Sequence, residues 1–186
     1  MRAAQFRERL ESFPIIAAIR NNRWKQALES PAEILFYLEA DILTVRDKVR
    51  QAHGANKAVF VHLDLAEGIG RDRSGLQYLL GCGVDGIIST RSAILRTARE
   101  LGFVTVQRIF ALDSQGMNTV QEMLHAASPD FMEIMPGVIP KVIRKLSGGP
   151  IPVIAGGLID SKSEITAALR SGATAISTGC AELWEL

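Results

Sequence analysis

PVIAGGLIDSKSEITAALRSGATAIST, residues 152–178, holds a strand, a helix and a second strand together with their punctuation. PVIAGG (152–157) is an apolar run that stops at two glycines. Ser161 with Glu164 fits a capping box, which opens a helix over SKSEITAALRSG that Gly172 ends. TAIST (174–178) reads as the next strand. Short strands alternating with single helices are the pattern of parallel sheets.

The same alternation recurs upstream. Strands are expected at 15–20 (IIAAIR), 34–39 (ILFYLE), 59–65 (VFVHLDL), 86–90 (GIIST), 104–110 (VTVQRIF) and 131–136 (FMEIMP). Helices are expected at SAILRTARELG and MNTVQEMLHAAS, stopped by Gly102 and by Ser128-Pro129. The strands are apolar on both faces, as parallel strands covered on both sides must be. Eight strand–helix units in 186 residues repeat about every 23 residues, near the minimum such a unit needs. The expected fold class is α/β, a small (β/α)8 TIM-type barrel forming one domain over 1–186, with an open doubly wound sheet as the alternative.

Composition narrows the function classes. Hydrophobic residues are 47% and charged residues 22%, ordinary for a globular protein large enough to bury a core without disulfides or metals. Cys82 and Cys180 are far apart in no ligand-like spacing, so neither a disulfide framework nor a metal site is expected and a reducing cytoplasm is the simplest compartment. The N-terminal MRAAQFRERLESFPIIAAIR has too short an apolar run for a signal sequence or a membrane span. Net charge is +1, so any nucleic-acid binding must come from a local patch rather than from the global field. Self-association as a homo-oligomer stays open.

Polar residues collect at the C-terminal ends of the strands: Arg20; Glu39 and Asp41; His62, Asp64 and Glu67; Ser89, Thr90 and Arg91; Gln107 and Arg108; Glu133; Gly156 and Gly157; Ser177, Thr178 and Gly179. In a barrel these ends share one face, where a site is expected. Solvation of strand ends explains one or two such positions, but poorly explains eight. Gly156-Gly157 after the seventh strand and Ser177-Thr178-Gly179 after the eighth read as a phosphate cradle made by the last two loops.

His62 and Asp64 are two apart and share one face of an extended strand. They can grip a ligand's hydroxyls, do acid–base work or sit as hydrogen-bonded core groups, while Glu67 falls in the loop. Glu133, flanked by apolar residues, needs a partner, most simply Arg20 or a ligand hydroxyl. Of Gln107 and Arg108, one faces the barrel interior and the other the helix layer. Basic residues Arg20, Arg23, Lys25, Arg71, Arg73 and Arg91 line one rim. They are either solvated charge or a footprint for an anion or a nucleic-acid backbone. Trp24 either stacks on a base or, the preferred reading, packs under its loop.

Taken together, PIIAAIR, VFVHLDLAEGIGRDRSG, DGIISTRS, VQRIFALDS, PDFMEIMPGVIP, IPVIAGGLI and GATAISTGCAELW resemble the glycerol-uptake operon antiterminator family, in family order and over nearly the whole chain. The resemblance implies a regulator rather than an enzyme, one that senses glycerol 3-phosphate as its effector, needs no cofactor, and acts on the leader mRNA of glycerol-utilisation genes. It implies that Gly156, Gly157, Ser177, Thr178 and Gly179 take the phosphate, and that Arg20, His62, Asp64, Glu133 and Arg91 serve the rest of the ligand. Asp72 and Gly75 match the family's loop after the third strand. Arg23, Lys25, Arg71 and Arg73 are the expected RNA contacts. Two other readings are carried forward. One is a barrel enzyme on a phosphorylated three-carbon or sugar substrate, with Asp64 or Glu133 as base and His62 as acid. The other is a metabolite-binding barrel that partners a protein.

Overall fold

A computed structural model describes residues 1–111, 120 and 123–186, apart from the side chain of Asn21. Eight strands form a closed barrel: β1 (Ile15–Ile19), β2 (Ile34–Tyr37), β3 (Ala58–His62), β4 (Gly86–Ser89), β5 (Val104–Phe110), β6 (Phe131–Met135), β7 (Val153–Gly156) and β8 (Ala175–Thr178). Every neighbouring pair is parallel, and β8 closes on β1. The (β/α)8 expectation holds, and the open sheet is excluded by the β8–β1 pairing.

The strands carry helices α2 (Trp24–Glu29), α3 (Val45–Gly54), α4 (Arg73–Gly81), α5 (Ser92–Glu100), α6 (Pro140–Ser147) and α7 (Lys162–Arg170) on the outside. The capping box of α7 forms as expected, with the Ser161 hydroxyl accepting from the Glu164 N–H. The helix expected over 117–128 lies partly outside the described residues; 120 and 123–127 are helical.

Strand alternation sorts the core into two clusters. One row of each strand points outward to the helices. The other fills the barrel: Ile16, Ile34, Phe36, Ala58, Phe60, Ile88, Val104, Val106, Phe131, Ile154 and Ala175. Gly86 belongs to this interior row because a Cβ there would overlap the Phe60 ring.

Helix α1 (Ala3–Ser12), ahead of β1, has no counterpart in the sequence reading. It presents only two buried apolar residues, Phe6 and Leu10, at helical i, i+4 spacing within a charged segment. Both enter the interior cluster. Phe6 sits edge-on to Phe131 at 4.5 Å between ring centroids and tilted on Phe60 at 4.6 Å. The barrel's N-terminal end is thereby plugged, and its C-terminal end is left open for a site.

Candidate functional site: a cationic cavity at the strand ends

The interior row turns polar at its C-terminal end. Stepping by two along each strand, Val104 and Val106 lead to Arg108, Phe131 to Glu133, Phe60 to His62, and Ala175 to Ser177. This settles the choice left by the sequence. Arg108 faces inward, while Gln107 faces the other way and donates to the Thr90 carbonyl at 2.8 Å.

A cavity of about 360 Å³ opens above this layer, lined by Arg20, Asn22, Arg23, Arg108, Glu133 and Met135, and by Gly157, Ser177 and Gly179 of the last two loops. Its floor is an ion pair: Arg108 Nε donates to Glu133 Oε2 at 2.7 Å, with the two side chains 7% and 1% exposed. The pair follows from register, because Arg108 and Glu133 are direct partners in the β5–β6 ladder. Arg20 is therefore not the partner of Glu133. It lies on the rim and pairs with Glu39 from the end of β2.

Gly156 is needed beneath this pair, since a Cβ there would come within 2.5 Å of Glu133 Oε1. The Gly156-Gly157 turn is strapped by the Gly137 N–H, which donates to the Gly156 and Gly157 carbonyls at 2.6 and 3.1 Å. Gly157 and Leu158 both adopt positive φ, so the seventh loop turns sharply at the cavity mouth.

Several residues named from the sequence fall elsewhere. Asp64 is not on the strand: β3 ends at His62, and Leu63–Leu65 form a short 3-10 turn. The Asp64 carboxylate accepts from the Ser89 hydroxyl (2.8 Å), the Thr90 N–H (2.7 Å) and the Thr90 hydroxyl (2.8 Å). Burial pushes this carboxyl up, but those hydrogen bonds outweigh it and hold it below the ordinary value. Asp64 thus ties the third loop to the end of β4, and three of its roughly four acceptor sites are taken up within the fold.

Thr178 points away from the cavity. Its hydroxyl donates to the Ile159 carbonyl at 2.7 Å and accepts from the Cys180 N–H at 3.0 Å, because it alternates with the inward Ser177. Arg91 stands exposed at the N-cap of α5, outside the cavity lining. Arg23, expected among RNA contacts, instead lines the cavity and donates to the Gly179 carbonyl at 2.6 Å, joining the first and last loops.

The other basic rim residues are exposed. Lys25 lies 3.8 Å from Glu29, Arg73 lies 3.0 Å from Glu100, and Arg71 is in the loop before α4. Trp24 packs under its loop, tilted on Tyr37, with its indole N–H on Gln51. Glu67 serves through its backbone, bridging the second and third loops. Asp72 caps α4 by accepting the Gly75 N–H, and Gly75 has no room for a Cβ against the Gly70 carbonyl.

His62 is in the interior layer, 4% exposed, and neither ring nitrogen has a hydrogen-bond partner among the described residues. Burial, reinforced by the charge of Arg108 and opposed by Asp64, lowers its pKa from 6.5 to about 4. The imidazole is neutral and 3.9 Å from Asp64. It lies beside Arg108 rather than in the cavity lining.

Sequence reasoning placed Gln107 and Arg108 at the site face without deciding which of them points inward, and it did not single out Asn22 or Gly137. The Val104, Val106, Arg108 alternation carried the signal for Arg108, but only the β5–β6 register decides which alternate row is interior.

Residues 15–184 match the family model described as glycerol-3-phosphate responsive antiterminator. The chain belongs to this family. Among its relatives, protein YgcP of Escherichia coli (strain K12) is 34% identical over 180 residues, 95% of this chain and 94% of YgcP. Two solved structures share the family. The glycerol uptake operon antiterminator regulatory protein of Listeria monocytogenes superposes with a TM-score of 0.88 at 32% identity, over 93% of this chain and 95% of the other. The glycerol uptake operon antiterminator-related protein of Thermotoga maritima gives 0.83 at 30%, over 92% and 98%. A deoxyribose phosphate aldolase from Aeropyrum pernix, at 15% identity and a TM-score of 0.67, shares the fold alone. No helix among the described residues is long and apolar enough to cross a membrane.

Proposed function

We propose that this protein is a cytoplasmic regulator that binds glycerol 3-phosphate in the strand-end cavity and acts on the leader mRNA of glycerol-utilisation genes in response. The observation that carries the reading is the cavity itself. Three arginines, Arg20, Arg23 and Arg108, meet the glycine turns of the last two loops in a chain of this family. Guanidinium groups and glycine backbones suit a phosphate, and the Glu133 carboxylate on the floor suits ligand hydroxyls. The ligand acts by mass-action linkage: it favours the ordered arrangement of the loops that carry Arg23, Arg71 and Arg73.

Regulation is favoured over turnover by the state of the acid–base groups. Glu133 is locked to Arg108, Asp64 accepts three hydrogen bonds within the fold, and His62 is neutral without a hydrogen-bonded proton acceptor among the described residues. None is set up as a general base at a reacting atom. The test is leader-RNA binding by gel shift with and without saturating glycerol 3-phosphate. Ligand should tighten RNA binding by about tenfold, on the scale of ordinary allosteric coupling. Equal affinity in both conditions would overturn the linkage.

A further inference from the structure

We infer that Glu133 sets the class of ligand the cavity takes: a phosphate ester whose far end is neutral and hydroxylated, in preference to one whose far end is a carboxylate. The inference rests on the reading of the cavity as a phosphate site and adds to it a reason for discrimination.

Glu133 is 1% exposed and its position is determined from two sides. Its Oε2 accepts from Arg108 Nε at 2.7 Å. Its Oε1 lies over Gly156, at 2.5 Å from where a Cβ would stand, so the glycine exists to make room for it. The carboxylate is thus a fixed acceptor on the cavity floor. A ligand hydroxyl brings a proton to it. A ligand carboxylate brings none and sets a second negative charge beside the first in a site shielded from water.

Arg108 cannot offset that second charge freely, because Glu133 already neutralises it. Arg20 is likewise paired, with Glu39. Arg23 donates to an uncharged backbone carbonyl, that of Gly179, forms no ion pair among the described residues, and shares its charge at longer range with Glu182 at the cavity mouth. With Arg108 and Arg20 already paired, the lining has little cationic capacity left for a second anionic group. The first belongs beside Arg23 and the glycine turns, and the far end of the ligand meets Glu133.

The experiment compares binding of glycerol 3-phosphate, 3-phosphoglycerate and inorganic phosphate by calorimetry at fixed ionic strength. The first two share the phosphate ester and differ in a terminal hydroxymethyl against a carboxylate. Wild-type protein should bind glycerol 3-phosphate about tenfold or more tightly than 3-phosphoglycerate. Glu133→Gln should shrink that ratio to about threefold or less, through tighter binding of the carboxylate ester as well as weaker binding of the polyol ester. A structural role alone would lower both affinities together and leave the ratio unchanged. Equal binding of both esters by the wild type overturns the inference and leaves the phosphate site standing. Failure of all three ligands to bind overturns the phosphate site and the inference with it. If Glu133→Gln does not fold, equal binding of the two esters by the wild type still overturns the inference.

Discussion

His62 shows how a residue's neighbours redirect its chemistry. A histidine beside an aspartate reads as an acid–base pair in the sequence. In the barrel, burial and the adjacent Arg108 charge hold it neutral. Its folded pKa of about 4 lies below the ordinary 6.5, so between these values the unfolded chain binds the proton and the folded protein does not. This contribution to stability is complete above pH 6.5 and is lost as pH falls toward 4. It amounts to on the order of 3 kcal/mol. Chemical denaturation of wild type and His62→Gln across this window should show the wild type losing about that much more stability. Parallel curves would show that His62 titrates normally. Asp64 has the opposite lesson. Its residue type was legible as functional, but its three donors lie on the neighbouring strand end, and no spacing within VHLDL reveals them.

The strands were legible as elements because each is a compact apolar run with turn residues at its ends. Their final residues were less so: the second and third strands stop two and three residues earlier than the apolar pattern extends. Helix α1 escaped detection. Two apolar residues in ten give a weak periodic signal, and its value comes from where the helix docks. Phe6 is wholly buried among Phe60, Phe131 and their neighbours at the closed end of the barrel. Phe6→Ala should therefore cost about 3–5 kcal/mol, read as a lower urea midpoint. A change within about 0.5 kcal/mol, typical of surface positions, would mean that α1 is not a structural plug.

For the whole molecule, closure matters most. Wrapping eight parallel strands brings the first and last loops together, and the Arg23–Gly179 hydrogen bond crosses that seam. A ligand held between these loops binds only the folded barrel. Glycerol 3-phosphate at a hundred times its dissociation constant should then raise unfolding free energy by about 2.7 kcal/mol with the denaturant slope unchanged. A midpoint insensitive to the ligand would argue against a site in the folded state.

The sequence by itself determined the strand–helix alternation, the closed barrel as the expected architecture, the face that carries the polar residues, and the glycine turns. These are local properties: periodicity of two or of 3.6, and residues that permit or forbid backbone angles. Tertiary structure alone decided which polar residues meet. Register paired Arg108 with Glu133 and left Arg20 to Glu39; it turned Ser177 inward and Thr178 outward, and it spent Asp64 on the fold. Contacts between side chains on different strands depend on register and closure, and a one-residue shift exchanges the two faces of a strand.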